Sequence, residues 1–104
     1  MTEQIATKIK EELKKMNNST DLGYTKTYIP CRGNDGFSVE CTRMDGESVL
    51  IDEDGDVVGD SIGDAVGFSV YYQRDGKDFD CCSLDCFLGE REMKQIDKFV
   101  KMYA

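Results

Sequence analysis

Apolar residues recur along the first stretch of the chain at Ile5, Ile9, Leu13 and Met16, spacings of four, four and three. That is one face of a 3.6-residue period and predicts a helix over 3–16. Glu3 lies in its first turn and Lys14 and Lys15 in its last, where each charge suits the helix dipole; Asn17-Asn18-Ser19 ends it. A second stripe, Met93, Ile96, Val100 and Tyr103, widened by Phe99, predicts a helix over 89–103. Asp85 is a candidate cap if that helix starts a turn early, with Phe87 and Leu88 inside it.

Between the helices the period falls to two. Phe37, Val39 and Cys41 alternate with Ser38, Glu40 and Thr42, and Phe68, Val70 and Tyr72 alternate with Ser69, Tyr71 and Gln73. Such strands have one apolar and one polar face. Asp-Gly pairs at 35–36, 45–46, 54–55 and 75–76 supply residues that tolerate the positive φ of tight hairpins. The pattern predicts strands at 24–32, 37–44, 47–53, 56–60, 67–74 and 77–84, joined as an antiparallel meander. Val49-Leu50-Ile51 does not alternate and reads as a central strand covered on both faces. Residues 59–67, with three glycines and no period, read as a mobile loop or bulged crossing. The expected fold is a single α+β domain over 1–104. A helix, a meander of five to six strands and a second helix follow in order, with both helices on one face of the sheet. The core should bring Ile5, Ile9, Leu13, Met93, Ile96 and Val100 onto Phe37, Val39 and Val70.

Charge changes the picture more than composition does. The net charge is −8, and no Lys or Arg occurs between Arg43 and Arg74. That window holds eight acids, Asp45, Glu47, Asp52, Glu53, Asp54, Asp56, Asp60 and Asp64, while the remaining 13 acids are matched by 13 bases. A field concentrated in this way attracts cations or a basic partner surface. Carboxylates on a hairpin form a stiff array, with rows about 4.8 Å apart and same-face steps of about 6.8 Å. Such an array can occupy a groove built for nucleic-acid phosphates. The eight acids are therefore the candidate partner-binding residues.

Other chemistries fare less well. Asp52-Glu53-Asp54-Gly55-Asp56, with Asp60 at the ninth position, opens like a calcium loop. Val57 then stands at the required glycine and Gly63 at the required bidentate Glu, so a hairpin with a Glu-Asp-Gly turn is expected. There is no histidine, which removes the commonest general base and metal ligand. Cys31, Cys41, Cys81, Cys82 and Cys86 are odd in number and poorly spaced for zinc; they read as buried reduced thiols. Neither catalytic residues nor a metal or other cofactor is expected. Tyr24, Tyr28, Tyr71 and Tyr72 suit packing or a protein interface better than base stacking, given the sign of the charge. No apolar run approaches a membrane span or a signal sequence, so the expected location is the cytoplasm, with no membrane and no direct nucleic-acid contact.

The helix at 3–16, the Asp-Gly-linked meander and the acidic run Asp45–Asp64 together resemble, in layout and charge, small acidic phage-encoded inhibitors of bacterial defence, including anti-CRISPR proteins. The resemblance implies stoichiometric, non-enzymatic inhibition of a basic nucleic-acid-handling protein, such as a nuclease or CRISPR effector, by occupying a nucleic-acid or protein interface. Immunity proteins against nuclease toxins share the same small acidic character. A metal or thiol protein built on Cys81, Cys82 and Cys86 is the alternative from another class.

Overall fold

The computed structural model describes residues 2–19, 21–44, 47–51, 53–62, 65–84 and 88–104, with the backbone alone at 44, 47–51, 57–62 and 65. Helix α1 spans Thr2–Asn18 and α2 spans Glu90–Tyr103. Between them lie β1 (Gly23–Arg32), β2 (Asp35–Met44), β3 (Glu47–Ile51), β4 (Val57–Ile62), β5 (Ala65–Arg74) and β6 (Lys77–Leu84). The class is α+β.

Both helices bury the stripes their periods predict. Ile5, Ile9, Leu13 and Met16 of α1 and Ile96, Phe99 and Val100 of α2 join Phe37, Val39, Cys41, Phe68, Val70 and Tyr72 in one core; Met93 is half-buried against it. All of these strand residues sit on one side of the sheet, so the two helices share that face. Removing this much apolar surface from water is the main force holding the layers together.

The helix ends are held by specific contacts. The Arg43 guanidinium, on β2, donates to the carbonyls of Met16 at 3.3 Å and Asn17 at 3.1 Å, satisfying C-terminal acceptors of α1 with a cation. The second helix begins at Glu90 behind Gly89, later than a start that included Leu88; the proposed cap Asp85, with Phe87, lies outside the described residues.

The expected single meander is corrected. The main sheet has four strands in the order β1-β2-β5-β6, and β3 and β4 form a separate two-stranded ribbon. β2 pairs with β5 and β3 with β4, so the expected β2–β3 hairpin pair does not form among the described residues, and the expected turn at Asp45-Gly46 lies outside them. β3 pairs with β4 alone among the described residues, so it is not a central strand; the side chains of Val49, Leu50 and Ile51 are outside the description. The predicted loop at 59–67 is corrected as well: Gly59 pairs with Leu50, Ser61 with Ser48 and Gly67 with Thr42.

Two turns are tight. Asp75 and Gly76, with φ of 53° and 78°, link Arg74 to Lys77 as predicted. The β1–β2 turn instead uses Gly33, at φ 57°, with Asn34, two residues before the expected Asp35-Gly36, which lies inside β2.

Candidate partner-binding site

The ribbon keeps the frame of the sheet's centre. Met44 pairs with Ala65 at the end of β2 and β5, and three residues further Glu47 pairs with Ile62. The same number of residues separates the two pairs on either side, and residues 45–46 and 63–64 between them lie outside the described residues. The β3–β4 ribbon is inserted between β2 and β5, past the last pairs that both outer strands make, as an arm. It makes no extensive contact with another element among the described residues. The molecule measures 46 × 28 × 23 Å, with a radius of gyration of 15.4 Å against about 13 Å for a compact chain of this size.

At the tip, a turn runs through Glu53, Asp54 and Gly55, with Gly55 at φ 84°. That is the Glu-Asp-Gly hairpin turn expected from the failed calcium pattern. Glu53, Asp54 and Asp56 are all exposed there. Glu47 opens β3 and Asp60 lies within β4 opposite Val49, but their side chains are not described. Asp45, Asp52 and Asp64 fall outside the described residues. The structure thus brings together three of the eight predicted acids at one tip and places two more on the strands behind it.

The second open surface is the sheet face turned away from the helices. Register sets Tyr28, Ser38, Tyr71 and Cys81 in one row and Lys26, Glu40, Ser69 and Ser83 in the next. The expectation of a simply polar face is corrected at Ser38, which is fully buried between two tyrosines and donates to Glu40 at 3.5 Å. Burial, and then the charge of Asp78, push the half-buried Glu40 carboxyl up. The Tyr71 hydroxyl is raised first by its hydrogen bond and charge interaction with Cys81, with smaller contributions from burial, Glu40 and Asp78. Tyr24 and Tyr28 are exposed, whereas Tyr72 belongs to the core and stacks on Tyr103 with centroids 4.3 Å apart.

At the outermost strand, β6, the Asp80 carboxylate accepts hydrogen bonds from the Tyr103 hydroxyl and from the Cys81 backbone N–H. The two bonds, the tyrosine's first, lower the Asp80 carboxyl below its ordinary range. The second of them satisfies the Cys81 backbone donor on this outer strand.

Cys31, Cys41, Cys81 and Cys82 are free thiols, and Cys86 is outside the described residues. The expectation of uniformly buried thiols holds for Cys41 but not for Cys81, which is exposed on the outer face. Cys81 and Cys82 are neighbours in an extended strand and so face opposite sides of the sheet. Burial pushes the Cys41 thiol up against the opposing pull of Arg43, and pushes up Cys82 with help from the charges of Cys81 and Asp80. Both shifts disfavour the reactive thiolate. No group of three or more potential metal ligands is gathered among the described residues. None of the described helices is long and apolar enough to cross a membrane.

Comparison of the chain with protein-family models, with curated proteins and with solved structures finds no match.

Sequence reasoning missed two features of these surfaces. Arg43 was visible only as the border of the base-free window, not as the residue that fastens the root of the arm to α1. The close approach of Tyr28 to Gly36 was not visible either, because the residues lie on different strands and meet only in this register.

Proposed function

We propose that the protein is a non-enzymatic, one-to-one inhibitor of a basic nucleic-acid-handling protein, such as a nuclease or a CRISPR effector. Its acidic arm occupies the groove that otherwise receives nucleic acid or a partner protein. The observation that carries this reading is the coincidence of charge and shape. The 30-residue stretch that holds the whole net charge contains the projecting ribbon, and the exposed acids Glu53, Asp54 and Asp56 stand at its tip. A two-stranded ribbon holds carboxylates at the strand spacings of about 4.8 and 6.8 Å without the entropy cost of ordering a loose loop on binding. A positively charged groove meets this array favourably, and steering by the field of the arm raises the rate of encounter.

The test is the triple variant Asp52→Asn, Asp54→Asn and Asp56→Asn, which removes three charges at nearly constant shape. Captured from a host lysate by the parent protein and then purified, the partner should bind the variant more weakly. The loss should lie mostly in the association rate, and the dependence on salt should flatten, because the screening length is only about 8 Å at physiological ionic strength. Equal binding by parent and variant at both low and moderate salt overturns the proposal.

A further inference from the structure

The two faces of the arm differ in kind. Cross-strand partners share a face of a ribbon, so the register of β3 with β4 sorts its residues. One face takes the pairs Glu47–Ile62, Val49–Asp60 and Ile51–Val57. The other takes Ser48–Ser61 and Leu50–Gly59. The first face thus gathers β-branched aliphatic residues and both acids of the two strands, while the second is small and polar apart from Leu50. Branched aliphatic residues suit a pleated surface with something packed on it. No helix or further strand packs extensively on β3 or β4 among the described residues, and a two-stranded ribbon without such a cover is marginal in water. The first face is therefore open to another molecule.

The two acids decide which chemistry fits there. Aliphatic residues gain from a surface that excludes water. A carboxylate taken out of water beside them needs a cation and hydrogen-bond donors in return. A second copy brings the reverse: each chain carries −8, all of it within residues 44–73, so two arms laid face to face set acid against acid. A phosphate backbone or an anionic lipid surface fails for the same reason. A purely polybasic surface would match Glu47 and Asp60 and leave the aliphatic positions without apolar cover. A protein surface with an apolar strip bordered by Lys or Arg satisfies both.

We propose that the arm lies on its partner by this face, seated on an apolar strip between basic side chains. This rests on the reading of the arm as the ligand of a basic protein and adds what holds it there. The acids steer the encounter, which acts mostly on the association rate, and the aliphatic face slows release.

Two heptapeptides of equal charge, Lys-Leu-Lys-Leu-Lys-Leu-Lys and Lys-Ser-Lys-Ser-Lys-Ser-Lys, test this by two-dimensional NMR of the full chain. Both should move the arm-tip amides of Glu53 to Gly55. Only the leucine peptide should move the methyl resonances of Val49, Ile51, Val57 and Ile62, with those of Leu50 moving less. It should bind roughly tenfold more tightly than the serine peptide. Val49→Thr combined with Ile62→Thr keeps the branching that a strand prefers and should remove that preference. Leu50→Thr, an apolar loss on the opposite face, should keep it. The methyl map of the parent chain decides even where a variant loses its arm. Equal affinity for the two peptides, Leu50 shifts as large as those of the first face, or a preference that survives the paired Thr variant overturns the seated face. Tip shifts with the serine peptide in those cases leave the acidic-arm reading standing. No response of the tip to either peptide overturns the acidic-arm reading itself, and the seated face with it.

Discussion

The body and the arm of this molecule are held by different forces. In the body, Ile9, Leu13, Phe37, Val39, Val70 and Val100 are fully or almost fully buried, and two helices and four strands interlock around them. In the arm, two strands pair with each other, and no other element packs extensively on them among the described residues. An isolated two-stranded hairpin is marginal in water. This one begins on strands already fixed by the core, and Arg43 fastens its root to the end of α1. The contrast teaches that stability and charge have been separated. The body carries no net charge beyond the base-free stretch and does the folding, so the arm can hold mutually repelling acids without weakening the core.

The sharpest test of that separation lies in the body. Ile96→Ala, at a position only 1% exposed, should lower unfolding free energy by about 2–5 kcal/mol, read from urea denaturation followed by circular dichroism. A loss under ~1 kcal/mol would mean that the core is not the seat of stability.

Removing the arm should do the reverse. With residues 45–64 replaced by Asn-Gly, Met44 and Ala65 still face each other across a two-residue hairpin turn. The body should fold, and the tenfold shorter connection should raise stability by up to ~2 kcal/mol while partner binding is lost. Failure of this shortened chain to fold would show that the arm is a structural part of the body.

The Asn variant at Asp54 and Asp56, both exposed, should change stability by no more than about 0.5 kcal/mol in the same denaturation assay, as is usual for exposed substitutions. A larger loss would make the tip part of the folding unit.

The smallest expected effect concerns the outer face. The Glu40 carboxyl is raised in the folded state by burial and by Asp78, so the folded protein holds its proton more tightly than the unfolded chain does. Ionised Glu40 thus costs stability at neutral pH. That cost fades as the pH falls through the folded value toward the ordinary glutamate value. Glu40→Gln should be slightly stabilising at neutral pH, with the advantage shrinking on acidification. A thermal-melt comparison across that range that shows the opposite trend would contradict the assigned field.

The helices were legible because burial repeats locally: Ile5 to Met16 and Ile96 to Val100 declare their faces within a few turns of chain. The strand pairs flanking Asp75-Gly76 were legible for the same reason. The pairing of β2 with β3 misled, because an Asp-Gly pair marks where a backbone is able to turn, and pairing partners further along the chain decide which strands meet. Gly59 and Gly67 misled in the opposite direction, since a strand accepts a glycine when its neighbours supply the pairing. The acids announced a charged segment but not an arm, for the common frame of Met44–Ala65 and Glu47–Ile62 exists only once the register is known. The close approach of Tyr28 to Gly36 was hidden for a similar reason: the two are diagonal neighbours on separate strands.

That common frame also limits how such a protein can vary in length. A strand turns its side chains over at every residue, so a single extra residue on one side is taken up only as a bulge, as on β4, where Leu50 pairs with Gly59 and Ile51 with Val57. Adding two residues to each strand keeps every side chain on its original side and moves the tip outward by about 6.8 Å. The hairpin is in this respect a ruler with fixed divisions. Its reach can be matched to targets of different depth in whole steps, with the core left untouched.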